Sequence, residues 1–340
     1  MVTICRYEEL SSEVLSCIVN ANVFFQKCFV EYARLDGEEI YYCFDEERIV
    51  PVRFRKKIIF KLGVFPSEPY NLVEMPQKEL RNYLDEIMFV LKKKLGIQWC
   101  NSTASAFFLD TPTVNCKRIP FGSHVIELNN DEEVLWGNIN SKHRNVIRKA
   151  EKEGVIILVG GEKLLDDYVT LESETTNRTG RASSGLNYYS KQVTAFGNNI
   201  KVYIAYHEGI PQAGGIFYVN NAFCYYMYGA TKRDSVTGSA NLLIWTAIKD
   251  MKDAGVQRFS FVGCRINEDP DSKYHGIQRF KERFGGALQV GYMFRCENKP
   301  RRYKLFCKVM QIRLHKKTIY QDPVDEEIHK WTDIQVHNEG

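Results

Sequence analysis

Residues 222–263 are the segment that most restricts which fold this chain can adopt. An aromatic, apolar run at 222–228 predicts a strand, and a loop that ends at Gly238 predicts a helix start at Ser239. Gly255 then ends the helix, and residues 259–262 predict a second strand. The first N–H groups of a helix lack partners within it, and the helix dipole favours an anion there. The segment therefore predicts a site for a phosphate-bearing ligand, and the alternative is a glycine-led helix that binds nothing.

Length and charge bound the class of protein. The 340 residues are long for one domain and sufficient for two, each with its own core. The hydrophobic fraction of 44% and the charged fraction of 26% are typical of a globular protein. The net charge of +4 is too small to indicate nucleic-acid binding by itself. The charge is uneven, however, because residues 299–317 contain eight Lys or Arg and no acid.

The cysteine pattern indicates a reduced protein. The ten cysteines form no Cys-x-x-Cys pair and have no histidines at zinc spacing. We therefore expect free thiols, no metal site and a cytoplasmic location rather than a disulfide framework. The first residues lack a basic region followed by an apolar run, and no window of about 18 residues is apolar enough to cross a bilayer. We expect neither a signal peptide nor a membrane span.

The two halves of the chain are similar to each other. Residues 24–64 predict a meander of antiparallel strands, 77–95 an amphipathic helix and 134–153 one long helix. Residues 89–99 and 248–258 share an order of helix, glycine and strand, which indicates a duplication, with coincidence as the alternative. The segment before the first of these helices, residues 67–76, has no glycine and carries Glu68 and Glu74. Only the second copy is therefore expected to receive a phosphate.

Four segments resemble a known family. Residues 135–155, Thr175-Thr-Asn-Arg-Thr-Gly180, 240–245 and 276–286 are similar, in order and spacing, to the Fem-type branch of the GNAT acyltransferase superfamily. The resemblance implies an α/β fold of two tandem GNAT-like domains, with mixed, largely antiparallel sheets flanked by helices. We expect a first domain with a degenerate ligand loop over 1–130, an active second domain over 131–298, and a basic helix with a polar tail over 299–340.

The resemblance also implies acyl transfer to an amine. The leading hypothesis is an N-acyltransferase that moves an acyl group from acyl-CoA, such as acetyl-CoA, to a cell-envelope polysaccharide or peptidoglycan precursor. One alternative is an aminoacyl-tRNA-dependent enzyme that extends a peptidoglycan stem peptide, and another is an inactive GNAT-like binding module. The loop keeps Gly238 and Ala240 of the usual phosphate pattern but has Ser235 where Gln or Arg is usual, which weakens the case for coenzyme A.

Candidate site residues follow from the strand, the loop and the resemblance. Thr237, Gly238, Ser239, Ala240 and Asn241 are expected to bind the donor. Tyr226 and Tyr228, which strand alternation puts on one face, and Lys281 are the catalytic candidates. Arg144, Arg148, Arg178 and Arg265 are the candidates for acceptor binding. The alternative for the tyrosines is core packing, and for the arginines a solvated basic face.

The basic segment 299–317 suggests a partner. Leu305, Phe306, Val309 and Met310 lie on one side of a predicted helix over 300–320, with cations around the rest. Such helices bind anionic membrane surfaces or RNA. We expect a small-molecule or lipid-linked sugar or peptide acceptor, with peripheral binding at the inner face of the membrane, or else tRNA. The alternative is a helix that packs on the second domain with its lysines in water.

Overall fold

The computed structural model describes residues 1–178, 180, 182–266, 273–314, 322 and 324–328. The first half contains seven strands and three helices: β1 (Thr3–Arg6), α1 (Ser12–Ile18), α2 (Lys27–Leu35), β2 (Glu39–Phe44), β3 (Arg48–Lys57), β4 (Phe60–Phe65), β5 (Tyr70–Asn71), α3 (Leu80–Val90), β6 (Trp99–Ser102) and β7 (Cys116–Glu127). A π-helical turn, Leu91–Leu95, extends α3.

The remaining elements follow in the second half: α4 (Glu132–Asn138), α5 (Ser141–Lys152), β8 (Ile156–Gly160), α6 (Leu165–Arg178), α7 (Leu186–Phe196), β9 (Ile200–His207), β10 (Ile210–Val219), β11 (Phe223–Thr231), α8 (Ser239–Asp253), β12 (Arg258–Ser260), β13 (Cys264–Arg265), α9 (Lys273–Glu282), β14 (Ala287–Cys296) and α10 (Pro300–Arg313). The predicted strand, loop, helix and strand of residues 222–263 are confirmed by β11, α8 and β12.

All these strands belong to one mixed sheet, in the order β1-β2-β3-β4-β6-β14-β7-β12-β11-β10-β9-β8, with β13 paired to β7 and β5 to β3. Most neighbours are antiparallel. The sheet is continuous across the halves because β14 pairs with both β6 and β7. The boundary at residue 130 stays a prediction, since β7 precedes it in sequence and yet pairs with β12 of the second half.

Each half contains one parallel pair of strands joined by a helix. In the first half β4 pairs with β6, and α3 connects them. In the second half β11 pairs with β12, and α8 connects them. The pairs differ in extent: the first ends at Phe65 and Ser102, where both strands end, whereas β11 runs on to Thr231 after its pairing with β12 has stopped. Each pair includes the helix, glycine and strand that the similarity of residues 89–99 and 248–258 predicted as a repeat.

The two faces of the sheet carry separate cores. On one face, α2 from the first half packs with α6 and α7 from the second, so this core joins the halves. On the other face, α5 and α8 cover the second half. The helix α3 buries Tyr83, Leu84 and Ile87 against the first half. The two halves therefore fold into one body with a shared interior.

Two predicted elements are wrong in detail. The meander predicted for 24–64 begins with a helix, α2, which buries Phe29, Val30, Tyr32 and Ala33 at helical spacing. Aromatic richness suggested strands there, but the packing of this helix against α7 decides the structure. The long helix predicted for 134–153 divides into α4 and α5, because Asn140 caps the second helix by accepting the N–H of Lys142.

The cysteine expectation needs one correction. Cys116 and Cys296 form a disulfide, and they are directly opposed in the antiparallel pair of β7 and β14. The other eight cysteines are free thiols. Because 180 residues separate the two cysteines, local spacing in the sequence does not reveal that they pair.

The basic helix α10 packs on the first half of the chain, whereas the alternative to membrane or RNA binding put it on the second domain. In α10, Tyr303, Phe306 and Cys307 are buried against Phe60 and Trp99 of the first half, not against the second domain. The helix ends at Arg313, and residues 315–320 of the predicted helix lie outside the described residues. Among the residues that the structure describes, no helix is long and apolar enough to cross a membrane.

Candidate functional site

Two neighbouring strands separate in the middle of the sheet. The parallel pairing of β11 with β12 ends at Tyr225 and Ser260, while β11 continues to Thr231. Beyond Ser260 the chain turns away through Val262 and Gly263, whose φ angles are 38° and 43°. The Val262 N–H donates to Ser260 Oγ (3.2 Å), which holds the turn. The resulting opening, which we call the splay, exposes strand backbone that a sheet normally pairs.

A bulge in β11 changes the expected direction of the tyrosines. Ile216 of β10 pairs with Tyr228, but the next residue, Phe217, pairs with Tyr226, so Met227 is an extra residue. Tyr226 therefore packs in the core beneath α8, whereas Tyr228 packs with the residues shared by the two halves. The prediction that Tyr226 and Tyr228 share a face is wrong, because simple alternation holds only for an unbulged strand.

The two tyrosines have different surroundings. The Tyr228 hydroxyl lies 3.0 Å from the Tyr188 hydroxyl, and burial raises the pKa of Tyr228 well above its usual value, with the nearby Tyr188 adding to the rise. The Tyr226 ring stacks on Phe217 with centroids 5.0 Å apart, and burial raises its pKa too. A Cβ at Gly229 would lie 2.0 Å from the Tyr226 hydroxyl, so glycine there makes room for the phenol. Both phenols are protonated at neutral pH.

The predicted donor loop leads from β11 into α8. Gly238 is the N-cap, with φ of 91°, and a Cβ there would lie 2.1 Å from the Val146 carbonyl oxygen of α5. Ser239 is buried, and its hydroxyl and N–H both donate to the Val236 carbonyl. The N–H groups of Ala240 and Asn241 have no hydrogen-bond partner among the described residues. They are free to meet an anion at the positive end of the helix dipole.

Lys281 closes the other side of the splay. Its ammonium group, on α9, donates to the carbonyl oxygens of Val262 and Gly263, the latter at 2.9 Å. The pKa of Lys281 is lowered to about 8, mainly by burial, with Cys264 opposing the fall and the positive charge of Arg265 adding to it. An ammonium carries three N–H donors. Two carbonyls use two of them.

The four predicted acceptor arginines have separate positions. Arg144 donates to the carbonyls of Trp136, Gly137 and Ile139 at the end of α4. Arg178 donates to the Thr231 carbonyl (2.8 Å) and so joins α6 to the end of β11. These contacts are those of structural arginines, and the acceptor role of both residues stays a prediction.

The other two arginines lie on different surfaces. Arg148 is 5.2 Å from the Trp136 ring centroid and lines an open cavity of about 590 Å³ with Trp245 and Lys249. Arg265 forms a two-pronged ion pair with Glu327. The structure brings Arg178 next to the donor loop and Lys281 next to the splay, but it does not gather the four arginines into one pocket.

A second cavity, which sequence reasoning missed, lies where the halves meet. It has a volume of about 450 Å³ and is lined by Glu68, Ser105, Phe107, Ser123, Val125, Phe223, Tyr225, Arg258, Ser260 and Gln289. Tyr225 and Ser260 are the last paired residues before the splay, so the cavity adjoins the point where the strands separate. We call it the central cavity.

Glu68 is the ionisable group that distinguishes this cavity. Its carboxylate accepts the Phe107 N–H (3.0 Å) and the Ser67 hydroxyl (3.4 Å). Burial raises the pKa of Glu68 above its usual value, although these hydrogen bonds and Arg258 oppose the rise. An acid three residues after the apolar run of β4 and next to Pro69 was the available sequence signal. The residues around Glu68 come from distant segments, so its burial and contacts could not be predicted from the sequence.

The chain is similar to known protein families. The model of the FemAB family matches residues 54–209, and that of an acetyltransferase (GNAT) domain matches residues 138–282. Over residues 54–282, the chain thus matches models of the FemAB family and of the GNAT acetyltransferases. It is therefore a transferase of the acyl or aminoacyl class. No curated protein matches it by sequence.

Solved structures share the fold of this chain. The crystal structure of FemX is 14% identical, with a TM-score of 0.70 over 89% of this chain and 99% of that one. A C-terminal domain of a putative lysylphosphatidylglycerol synthetase from Agrobacterium fabrum is 11% identical, with a TM-score of 0.56 over 88% of this chain and 98% of that one. A tandem GNAT protein from the clavulanic acid biosynthesis pathway is 10% identical, with a TM-score of 0.50 over 88% and 99%. The expected tandem GNAT-like architecture is confirmed.

Within the described part of the chain, no three His, Cys, Asp or Glu side chains are grouped so that they could hold a metal ion. The groups around the splay are instead backbone N–H groups, phenols, an ammonium and a carboxylate. Such groups suit proton transfer and charge stabilisation at a reacting carbonyl.

Proposed function

We propose that this protein transfers an acyl group from acyl-CoA to an amine of a cell-envelope polysaccharide or peptidoglycan precursor. The observation that carries the proposal is the splay of β11 and β12, with a bulge at Met227 and a glycine-capped helix beyond it. An extended thioester arm fits between separated strands. Its carbonyl oxygen then meets a strand N–H that no neighbouring strand uses, and such a donor stabilises the charge that develops in the transition state.

The donor phosphates are assigned to residues 237–241. The N–H groups of Ala240 and Asn241 are the primary donors, since they have no partner among the described residues. Thr237 is exposed at the rim, and Gly238 and Ser239 shape the loop. Most of such a cradle is backbone, so Ser235 in place of the usual Gln or Arg is compatible with phosphate binding.

The acceptor amine is assigned to the central cavity. The amine nitrogen attacks the thioester carbonyl carbon, and its proton passes to the Glu68 carboxylate. The carbon–sulfur bond breaks, and the leaving thiolate takes the phenolic proton of Tyr228, which the paired Tyr188 hydroxyl helps to restore from solvent. The raised pKa of Glu68 makes its carboxylate a stronger base, and Tyr228 is protonated at neutral pH and so holds a proton for the leaving thiolate.

Lys281 completes the proposed site. Its two carbonyl contacts fix the turn at Val262 and Gly263, and its remaining N–H can donate to the reacting carbonyl or to the acceptor. Tyr226 is the second candidate acid, on the opposite face of β11. Arg144, Arg148, Arg178 and Arg265 remain proposed acceptor ligands, with Arg178 favoured because it lies against Thr231 beside the loop.

A second function, transfer from aminoacyl-tRNA, has one observation in its favour. The helix α10 presents Arg301, Arg302, Lys304 and Lys308 to solvent, which would suit an RNA backbone. A chain that uses tRNA should bind it with a steep dependence on salt, and binding that is flat between low and moderate salt would exclude this function.

The test of the donor assignment is thermal unfolding with saturating coenzyme A or acetyl-CoA. Ligand at about a hundred times its dissociation constant adds roughly 2.7 kcal/mol, which raises the unfolding midpoint by a few degrees. In Thr237→Glu we expect the rise to disappear, because the new carboxylate repels phosphate. The control Thr237→Gln should keep it.

This pair of variants separates binding from folding. An acid at the start of a helix favours the dipole, so Thr237→Glu should not weaken the fold itself. If acetyl-CoA raises the unfolding midpoint equally in both variants, the donor phosphates do not bind at this loop. Binding of acetyl-CoA without transfer to any amine, across amino sugars and peptides, would instead favour the inactive binding module.

A further inference from the structure

We propose that one edge of the first half, formed by the tip of the β3–β4 hairpin and the exposed face of α10, docks on an anionic lipid bilayer. The hairpin tip is Ile58 and Ile59, whose relative exposures are 49% and 60%. In α10 and just after it, Leu305, Ile312 and Leu314 are also exposed, Ile312 at 75%. We call these five residues the apolar edge.

The contacts of α10 bring the two parts together. The Phe60 ring, which directly follows the hairpin tip, packs edge-on against Phe306 with centroids 5.3 Å apart. Burial lowers the pKa of Lys57 most, followed by the charge of Arg55, with Glu38 opposing, and Arg313 at the last turn of the helix is near enough to add to the fall. The hairpin tip therefore lies beside the end of α10, and both present isoleucine to solvent.

The tip carries a strained backbone. Ile58 has φ of 59°, in the left-handed region where a β-branched residue is a genuine outlier. It is the first of two residues between the paired Lys57 and Phe60, and a positive φ at this position is normally given to glycine, as in a type II′ turn. Ile58 thus combines strain with exposure, at a position where glycine would be more stable. Strain of this kind persists where the side chain has a use.

Cations surround the apolar edge. Lys56, Lys304, Lys308 and Arg313 are exposed there. Lys61 Nζ donates to the Leu95 carbonyl (3.2 Å), which brings the exposed run 92–94, three lysines, to the same edge. Residues 56–61, 91–96 and 299–314 contain no acid. This charge is complementary to a surface of anionic headgroups.

The exposed apolar residues favour a bilayer over RNA as the partner of this edge. RNA is held by cations and by aromatic rings that stack on bases, whereas exposed aliphatic side chains offer it nothing. Apolar residues among lysines are the pattern of a protein that lies in the interface of a membrane. The docking surface rests on these residues alone and does not depend on the proposed transfer reaction.

The experiment is sedimentation of the full chain with vesicles. We expect binding to vesicles of phosphatidylcholine with phosphatidylglycerol, at least tenfold weaker binding to phosphatidylcholine alone, and weakening by salt. In Ile58→Gly/Ile59→Ser the tip loses its apolar surface, and we expect at least a tenfold loss of binding. Because glycine fits the turn, urea unfolding of this variant should show stability equal to or above that of the parent chain.

Two further variants provide a control for the apolar tip and a test of the cations. Ile210→Ser removes an exposed isoleucine beside another hairpin, between β9 and β10, and should bind like the parent chain. Lys308→Gln/Arg313→Gln should bind more weakly than the parent chain and with a shallower dependence on salt. Vesicle binding that is unaffected by the hairpin variant overturns the proposal. So does a chain that binds tRNA through α10 but does not bind vesicles.

Discussion

At the scale of single residues, the chemistry depends on groups whose protonation is shifted by burial. Glu68 holds a raised pKa in the central cavity, and Lys281 a lowered one beside the splay. A charged Glu68 therefore costs the folded state free energy at neutral pH, and this cost disappears as the pH falls and the group is protonated. Groups that are kept at such a cost are candidates for function.

Glu68→Gln tests this residue. We expect kcat/KM to fall by roughly 10²–10⁴, and the limb of the pH profile that rises as Glu68 ionises to be lost. The variant should be at least as stable as the parent chain at neutral pH, with the difference vanishing at low pH where Glu68 is neutral. The control Glu74→Gln changes an exposed acid of the same segment and should leave activity intact. A profile that keeps its rising limb in Glu68→Gln would contradict the role of base.

At the scale of elements, β11 and α8 define the site by two local departures from regularity. The bulge at Met227 puts Tyr226 and Tyr228 on opposite faces, and the left-handed Gly238 lets the helix start against α5. Gly238 is thus required by packing as well as by any ligand. Loss of activity on changing it would not identify a ligand contact, which is why Thr237 is the better position for a functional test.

Gly238→Ala should lower the free energy of unfolding by roughly 3 kcal/mol or more. A positive φ costs a side chain about 1–3 kcal/mol, and the new Cβ would also collide with the Val146 carbonyl. The control is Gly137→Ala in α4, where nothing lies within 4 Å of the new Cβ, and it should be neutral or slightly stabilising. Urea unfolding of both variants provides the measurement. Equal midpoints would mean that α5 does not confine the loop.

At the scale of the whole molecule, the sequence predicted features that lie within one segment but not those that join distant segments. The strand, loop and helix around Gly238 were readable because glycines and apolar spacing lie within one segment. The central cavity was not, since Glu68 and Phe107 come from the first half and Tyr225 and Ser260 from the second. The pairing of β14 with β6 and β7, the pairing of β7 with β12 and the core shared by α2 and α7 bring the halves together. Likewise the bulge and the Cys116–Cys296 bond depend on register between strands, which no spacing within one strand reveals.

The most direct test is a structure of the protein with acetyl-CoA bound. We predict that the thioester lies between β11 and β12, with its carbonyl oxygen on the backbone near Met227. The phosphates should contact the N–H groups of Ala240 and Asn241, and the acetyl group should point toward the central cavity and Glu68. A donor bound elsewhere, such as in the cavity beside Trp136 and Arg148, or no binding at saturating concentration, would contradict the assignment of the splay as the site of transfer.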